Sequence, residues 1–106
     1  MPRYLATGSY TVDGIRGVLK EGGTGRRKAV QAAIEAMGGK MEAYYFAFGD
    51  ADVVVISELP DNVTAAALAI GIGSTVTVSV KTTVLLTPDE LDQAAKKTVA
   101  FRAAGQ

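Results

Sequence analysis

Seven side chains along the sequence have the chemistry to meet a small molecule: Tyr4, Tyr10, Tyr44, Tyr45, Arg26, Lys81 and Asp52. Tyrosine joins an apolar ring to a hydrogen-bonding tip, and the other three supply charge. Such a set suits a mostly apolar pocket with a few polar groups. The residues expected to contact a ligand are Tyr10, Arg26, Tyr44, Asp52 and Lys81, with Tyr10, Tyr44 and Lys81 sharing one pocket. The competing reading of each tyrosine is a core residue with a wet tip. The sequence has no histidine and no cysteine. The usual general base, a thiolate nucleophile and haem ligation by either residue are therefore excluded.

Two glycine-rich stretches invite a chemical reading. Gly49-Asp50-Ala51-Asp52 could present two carboxylates to a cation or a substrate amine, because hard cations favour clustered oxygens. A hairpin turn whose Asp52 bonds nearby backbone is the plainer alternative, and with nothing else to complete a shell no metal is expected. Gly22-Gly23-Thr24-Gly25-Arg26-Arg27 resembles an anion cradle at a helix start. It is no phosphate loop of the G-x-x-x-x-G-K-[ST] kind, since it lacks the lysine and follows a helical stretch rather than a strand. A flexible linker between helical pieces is the simpler expectation. Asn62-Val63-Thr64 matches a glycosylation acceptor by chance, as a helix is expected there.

The elements that must position these residues come from 106 residues, enough for one domain over 1–106, and 48% hydrophobic content supplies one core. Eleven basic and eleven acidic residues cancel, so no overall field draws the chain to nucleic acid or anionic lipid. Neither is expected as a partner, and no cofactor is expected. Met1–Tyr10 lacks a basic stretch followed by an apolar run, and no later segment reaches the roughly 18 apolar residues of a membrane span, so the cytoplasm is the expected location.

Alternation predicts a strand over 3–10, with Tyr4, Ala6, Gly8 and Tyr10 on one face. Thr11 caps a helical stretch carrying Ile15, Val18 and Leu19, and Gly22-Gly23 breaks it. Val30, Ala33, Ile34 and Met37 give the clearest amphipathic helix, which Gly38-Gly39 ends. Strands are predicted over 40–48 and 52–58, the first with Met41, Ala43, Tyr45 and Ala47 on one side and Tyr44, Phe46 and Phe48 on the other. Asp61 caps a helix that is apolar nearly all round from Ala65 to Ile72 and needs cover on two sides. A fourth strand is predicted over 76–86. Thr87-Pro88-Asp89-Glu90 then carries a capping-box signature for a last helix to about Thr98.

The order gives an α+β, ferredoxin-like βαββαβ antiparallel sheet with helices on one face and an added C-terminal helix. Both faces of the middle strands carry apolar residues, which predicts that the open face pairs with a second copy, burying on the order of 800 Å² per subunit.

The residues Ser9-Tyr10-Thr11 with Gly14 and Gly17, Arg26 and Arg27, Gly38-Gly39-Lys40, Phe48-Gly49-Asp50-Ala51-Asp52-Val53, Leu59-Pro60-Asp61, and Lys81-Thr82-Thr83 before Leu85-Leu86-Thr87-Pro88 resemble the GYD domain family over nearly the whole chain. The resemblance implies a ferredoxin-like, dimeric α+β barrel and implies no reaction. The family's pattern of Gly, one residue, Tyr, Asp stands here as Gly49-Asp50-Ala51-Asp52, so any role of that tyrosine is missing.

The function expected from all this is a small-ligand-binding or interaction module working as a homodimer or larger homo-oligomer. The alternative is a small cofactor-independent enzyme acting on an aromatic or enol-like metabolite through Tyr, Lys, Asp or Arg, on fold analogy. An assembly role for the apolar helix and the terminal helix is the third expectation.

Overall fold

Alternating side chains make Arg3–Tyr10 a strand, and in the computed structural model, which describes residues 1–106, this is β1, flanked on both sides. Val53–Glu58 (β3) and Val78–Leu85 (β4) pair antiparallel with it, and Lys40–Phe46 (β2) pairs antiparallel with β3. The order β2-β3-β1-β4 is that of an antiparallel ferredoxin-like sheet with two crossovers. Register fixes the faces. Gly8 lies opposite Val53 and Val80, Tyr4 opposite Ser57 and Val84, and this set turns toward the helices. Leu5 and Thr7, opposite Ile56 and Thr83 and opposite Val54 and Lys81, form the open face.

Val12–Glu21 (α1) starts at Thr11, whose hydroxyl accepts from the Gly14 N–H at 3.2 Å. Gly23–Ala36 (α2) follows after a single residue. Gly22, at φ 85°, makes the bend, in a region that favours glycine. The expected break is present but is not a flexible linker, for Gly23–Arg27 are already helical. Asn62–Gly73 (α3) begins at Asp61, which accepts from the Thr64 N–H at 2.8 Å and the Thr64 hydroxyl at 2.7 Å. Pro88–Ala95 (α4) has both arms of its capping box closed between Thr87 and Glu90, and it stops short of the expected Thr98.

The core is Tyr4, Ile34, Met41, Val53, Val55, Leu59 and Ala65, between the sheet and α2 and α3. Two expectations fail locally. A bulge between Met41 and Ala43 shifts the phase of β2, so Met41 joins Tyr44 and Phe46 on the helix side while Ala43 and Tyr45 face the open side. Glu42, the extra residue, pairs with Arg3 at 3.1 Å. Val76 lies outside β4, at φ 63° and 77% exposed, with the Thr75 and Thr77 hydroxyls on either side of it bonded to each other at 2.7 Å.

Only one side of α3 is covered, by the sheet; Val63 and Ile70 on the other stand open to solvent. α4 buries none of its residues. The Cα radius of gyration is 16.8 Å and the longest dimension 56 Å, against about 13 Å for a compact domain of this length. The excess comes from α4 and residues 96–106, which project from the domain with Leu91, Val99 and Phe101 exposed. No helix is long and apolar enough to cross a membrane.

Candidate functional site

Small residues on facing elements leave room at the centre of the domain. Ala6 of β1 and Ala65 and Ala69 of α3 border a cavity of about 80 Å³ whose other walls are Val53, Val55, Val78 and Val80 of the sheet and Val30, Ile34, Leu68 and Ile72 of the helices. Its polar atoms come from Tyr4, Tyr10, Arg26, Tyr44, Ser57 and Thr82.

Two tyrosines there differ in satisfaction. Tyr4, 2% exposed, donates its hydroxyl to Asn62 Oδ1 at 2.7 Å and is a satisfied core residue. The Tyr44 hydroxyl is fully enclosed and has no hydrogen-bond partner. Its ring is fixed edge-on against Phe46, with centroids 5.4 Å apart. Burial pushes the Tyr44 pKa well above its ordinary value, and Tyr10, which lies near without hydrogen-bonding geometry, adds to this. The Arg26 guanidinium pulls it back, while the Glu21 carboxylate pushes it up. Tyr44 is thus held protonated, with its hydroxyl in the neighbourhood of Tyr10, Arg26 and Glu21. An unpaired buried polar group of this kind costs about 1–3 kcal/mol.

Of the five residues expected at a ligand site, Tyr10, Arg26 and Tyr44 come together at this cavity. Asp52 does not line it. Its Oδ2 accepts the Tyr10 N–H at 2.8 Å and its own N–H donates to the Gly8 carbonyl at 2.8 Å, so it locks the end of β1 to the turn after β2. The turn reading of Gly49–Asp52 accounts for this carboxylate, and no group of three acidic side chains is gathered to hold a metal ion. Lys81 faces the wrong way: it lies opposite Thr7, between Val80 and Thr82 that line the cavity, so strand alternation puts it on the open face. The Gly22–Arg27 stretch forms the first turn of α2, with no side-chain cap at Gly22. The Arg26 N–H donates to the Gly22 carbonyl, and the Arg26 side chain pairs with Glu21 at 3.6 Å.

A second cavity, of about 200 Å³, was not foreseen from the sequence. It lies between α1 and the turn before β4 and is lined by Asp13, Gly14, Gly17, Val18, Glu21, Thr75 and Thr77. Tyr10, Arg26 and Ile72 line both cavities, so the two adjoin. Its signal in the sequence was Gly14 and Gly17, three apart inside a helix where glycine costs about 1 kcal/mol. At Gly14 a Cβ would lie 2.0 Å from the Thr77 carbonyl oxygen, so close approach demands glycine; at Gly17 a Cβ would meet nothing within 4 Å.

A four-stranded antiparallel sheet covered on one face by helices, with a cavity between the layers, defines a ferredoxin-like α+β domain with room for a small molecule. The chain belongs to the GYD domain family, whose model matches residues 4–95. Neither a curated protein nor a solved structure matches it.

Proposed function

We propose that this GYD domain is a small-ligand-binding module working as a homodimer, with the ligand held between sheet and helices and the open sheet faces paired. The observation that carries the binding reading is the Tyr44 hydroxyl, enclosed and unpartnered beside a cavity of about 80 Å³. A bound oxygen acceptor would complete it. The raised pKa of Tyr44 suits a donor to that oxygen and disfavours a proton-abstracting base, which supports binding over turnover of an aromatic or enol-like metabolite. Pairing is supported by the half-buried Leu5, Ala43, Val54, Ile56 and Leu85 on the uncovered face, beside the exposed Tyr45.

Thermal shift against a panel of small metabolites, with native mass spectrometry of the purified protein, tests the binding reading. A ligand at a hundred times its Kd adds about 2.7 kcal/mol, which raises the melting temperature by about 10 °C for a domain of this size. The compound should be recovered unchanged. Light scattering should give twice the chain mass. No shift with any compound and no co-purified mass would overturn the binding reading, and a stable monomer at low micromolar concentration would overturn the pairing.

A further inference from the structure

The two adjoining cavities differ in character, and the difference describes a ligand. The inner one is walled almost wholly by aliphatic side chains, Ile34, Val55 and Leu68 among them. The outer one is lined by Asp13, Glu21, Thr75 and Thr77, the two threonine hydroxyls bonded to each other at 2.7 Å. Tyr10 and Arg26 stand at the junction, and Tyr44 lines the inner cavity near both. Resting on the binding reading above, we infer that the ligand is amphipathic: a short branched aliphatic group inside, a carbonyl or hydroxyl oxygen at the junction, and a neutral or cationic polar end outside.

Size and charge set the class. An apolar cavity of about 150 Å³ takes up benzene, so about 80 Å³ corresponds to three or four carbon atoms, the size of an isobutyl group. At the junction the unpaired Tyr44 hydroxyl, beside Tyr10, favours an acceptor oxygen. In the outer cavity each carboxylate already has a guanidinium, Glu21 with Arg26 at 3.6 Å and the largely exposed Asp13 with Arg16 at 4.0 Å, so no unpaired cation lines it. A second anion would lose its water there without gaining a cation, whereas an amine or amide would find acceptor oxygens. Gly17 keeps this end open, because no protein atom lies within 4 Å of where its Cβ would be.

Three probes that share one isobutyl group separate these terms: leucinamide, 4-methylpentanamide and 4-methylpentanoate. Each is titrated into the intact protein while the methyl signals of Ile34 and Leu68 and the amide signals of Gly17 and Thr75 are followed by NMR. The inference expects leucinamide to move both sets with one Kd, 4-methylpentanamide to bind comparably, and the carboxylate to bind at least about tenfold more weakly. Tyr44→Phe should weaken leucinamide about tenfold without lowering the melting temperature of the free protein. Gly17→Leu should fill the outer cavity and abolish the leucinamide shifts, its fold checked by retained inner methyl dispersion. Equal or tighter binding of the carboxylate, or unchanged leucinamide binding by Gly17→Leu, would overturn the amphipathic class while leaving a binding module in place. Silence of both signal sets toward all three probes would overturn the inference, and a barren metabolite panel would remove the binding reading with it.

Discussion

Replacing Gly14 by alanine should destabilise the domain, although alanine is the better helix former. The new Cβ would sit 2.0 Å from the Thr77 carbonyl oxygen and 2.9 Å from its carbon. Ordinary contact lies at about 3.5 Å, so α1 must retreat by more than about 1 Å. That carbonyl accepts the Thr11 N–H at 2.9 Å and the Thr11 hydroxyl at 3.2 Å, and the same hydroxyl caps α1. Losing these two bonds costs about 1–3 kcal/mol, and weakening the cap adds up to about 1 kcal/mol. The helix preference for alanine returns about 1 kcal/mol, leaving a net loss near 2 kcal/mol. The melting temperature should fall by about 8 °C or more. Gly17→Ala is the internal control, on the same helix with nothing within 4 Å, and should raise it by up to about 4 °C. Calorimetry of the two variants beside the parent decides. A Gly14→Ala protein melting within about 2 °C of the parent would refute the claim that α1 is pressed onto the turn before β4, and with it the shape of the outer cavity.

On the acid side, Asp61 is held below the usual carboxylate range by the Thr64 N–H and then the Thr64 hydroxyl, and Glu90 likewise by the Thr87 N–H and side chain. A depressed folded-state pKa gives stability that is present above the unfolded value of about 4 and lost as pH falls through the lower folded value; Asp61→Asn should therefore lower the melting temperature at pH 7, with the gap to the parent closing toward about pH 2, as read by circular dichroism. In the proposed dimer, Leu91→Asp with Phe101→Asp should weaken association at least about tenfold by analytical ultracentrifugation, while melting at concentrations where the chain is single stays unchanged, because both residues are exposed in their own chain.

Much of this fold was readable because its determinants are local. Thr11, Asp61 and the Thr87–Glu90 pair each act within three residues, and all three caps form as their side-chain chemistry dictates. Gly8 announced a close neighbour, and Val53 and Val78 supply it. Features that depend on the partner strand were less legible. The bulge at Glu42 arises where β2 meets β3 and where Arg3, 39 residues away, draws the carboxylate to the open face. The exclusion of Lys81 follows the same logic: alternation separates it from Val80, but only the register with β1 decides which of the two turns inward. Asp52 was read as a ligand contact or a turn residue, and its backbone partner proved to be Tyr10, again across the chain. The outer cavity was missed because its walls come from α1 and from residues 75 and 77, and no single window of sequence contains both.

The shape of the chain bears on how such a domain could pair. Four strands spaced about 4.8 Å apart, each some eight residues long at about 3.3 Å per residue, make a face of about 500 Å², whereas a stable interface needs about 800 Å² from each partner. Sheet contact alone falls short. That face also carries Lys81, Glu58 and the Arg3–Glu42 ion pair, which are poor cover for an apolar partner. The missing area has a source in the same chain: α4 and the residues after it reach beyond the domain, make little use of their own core, and expose Leu91, Val99 and Phe101. An apolar arm of this length is costly in water unless it is covered. In a symmetric pair each arm would lie on the other copy, so one contact made twice would supply what the sheet lacks. The cavity lies on the opposite side of the sheet from the open face. Pairing would therefore act on the site through the shared strands β1 and β3, whose residues alternate between Leu5 and Ile56 on one face and Ala6 and Val55 on the other.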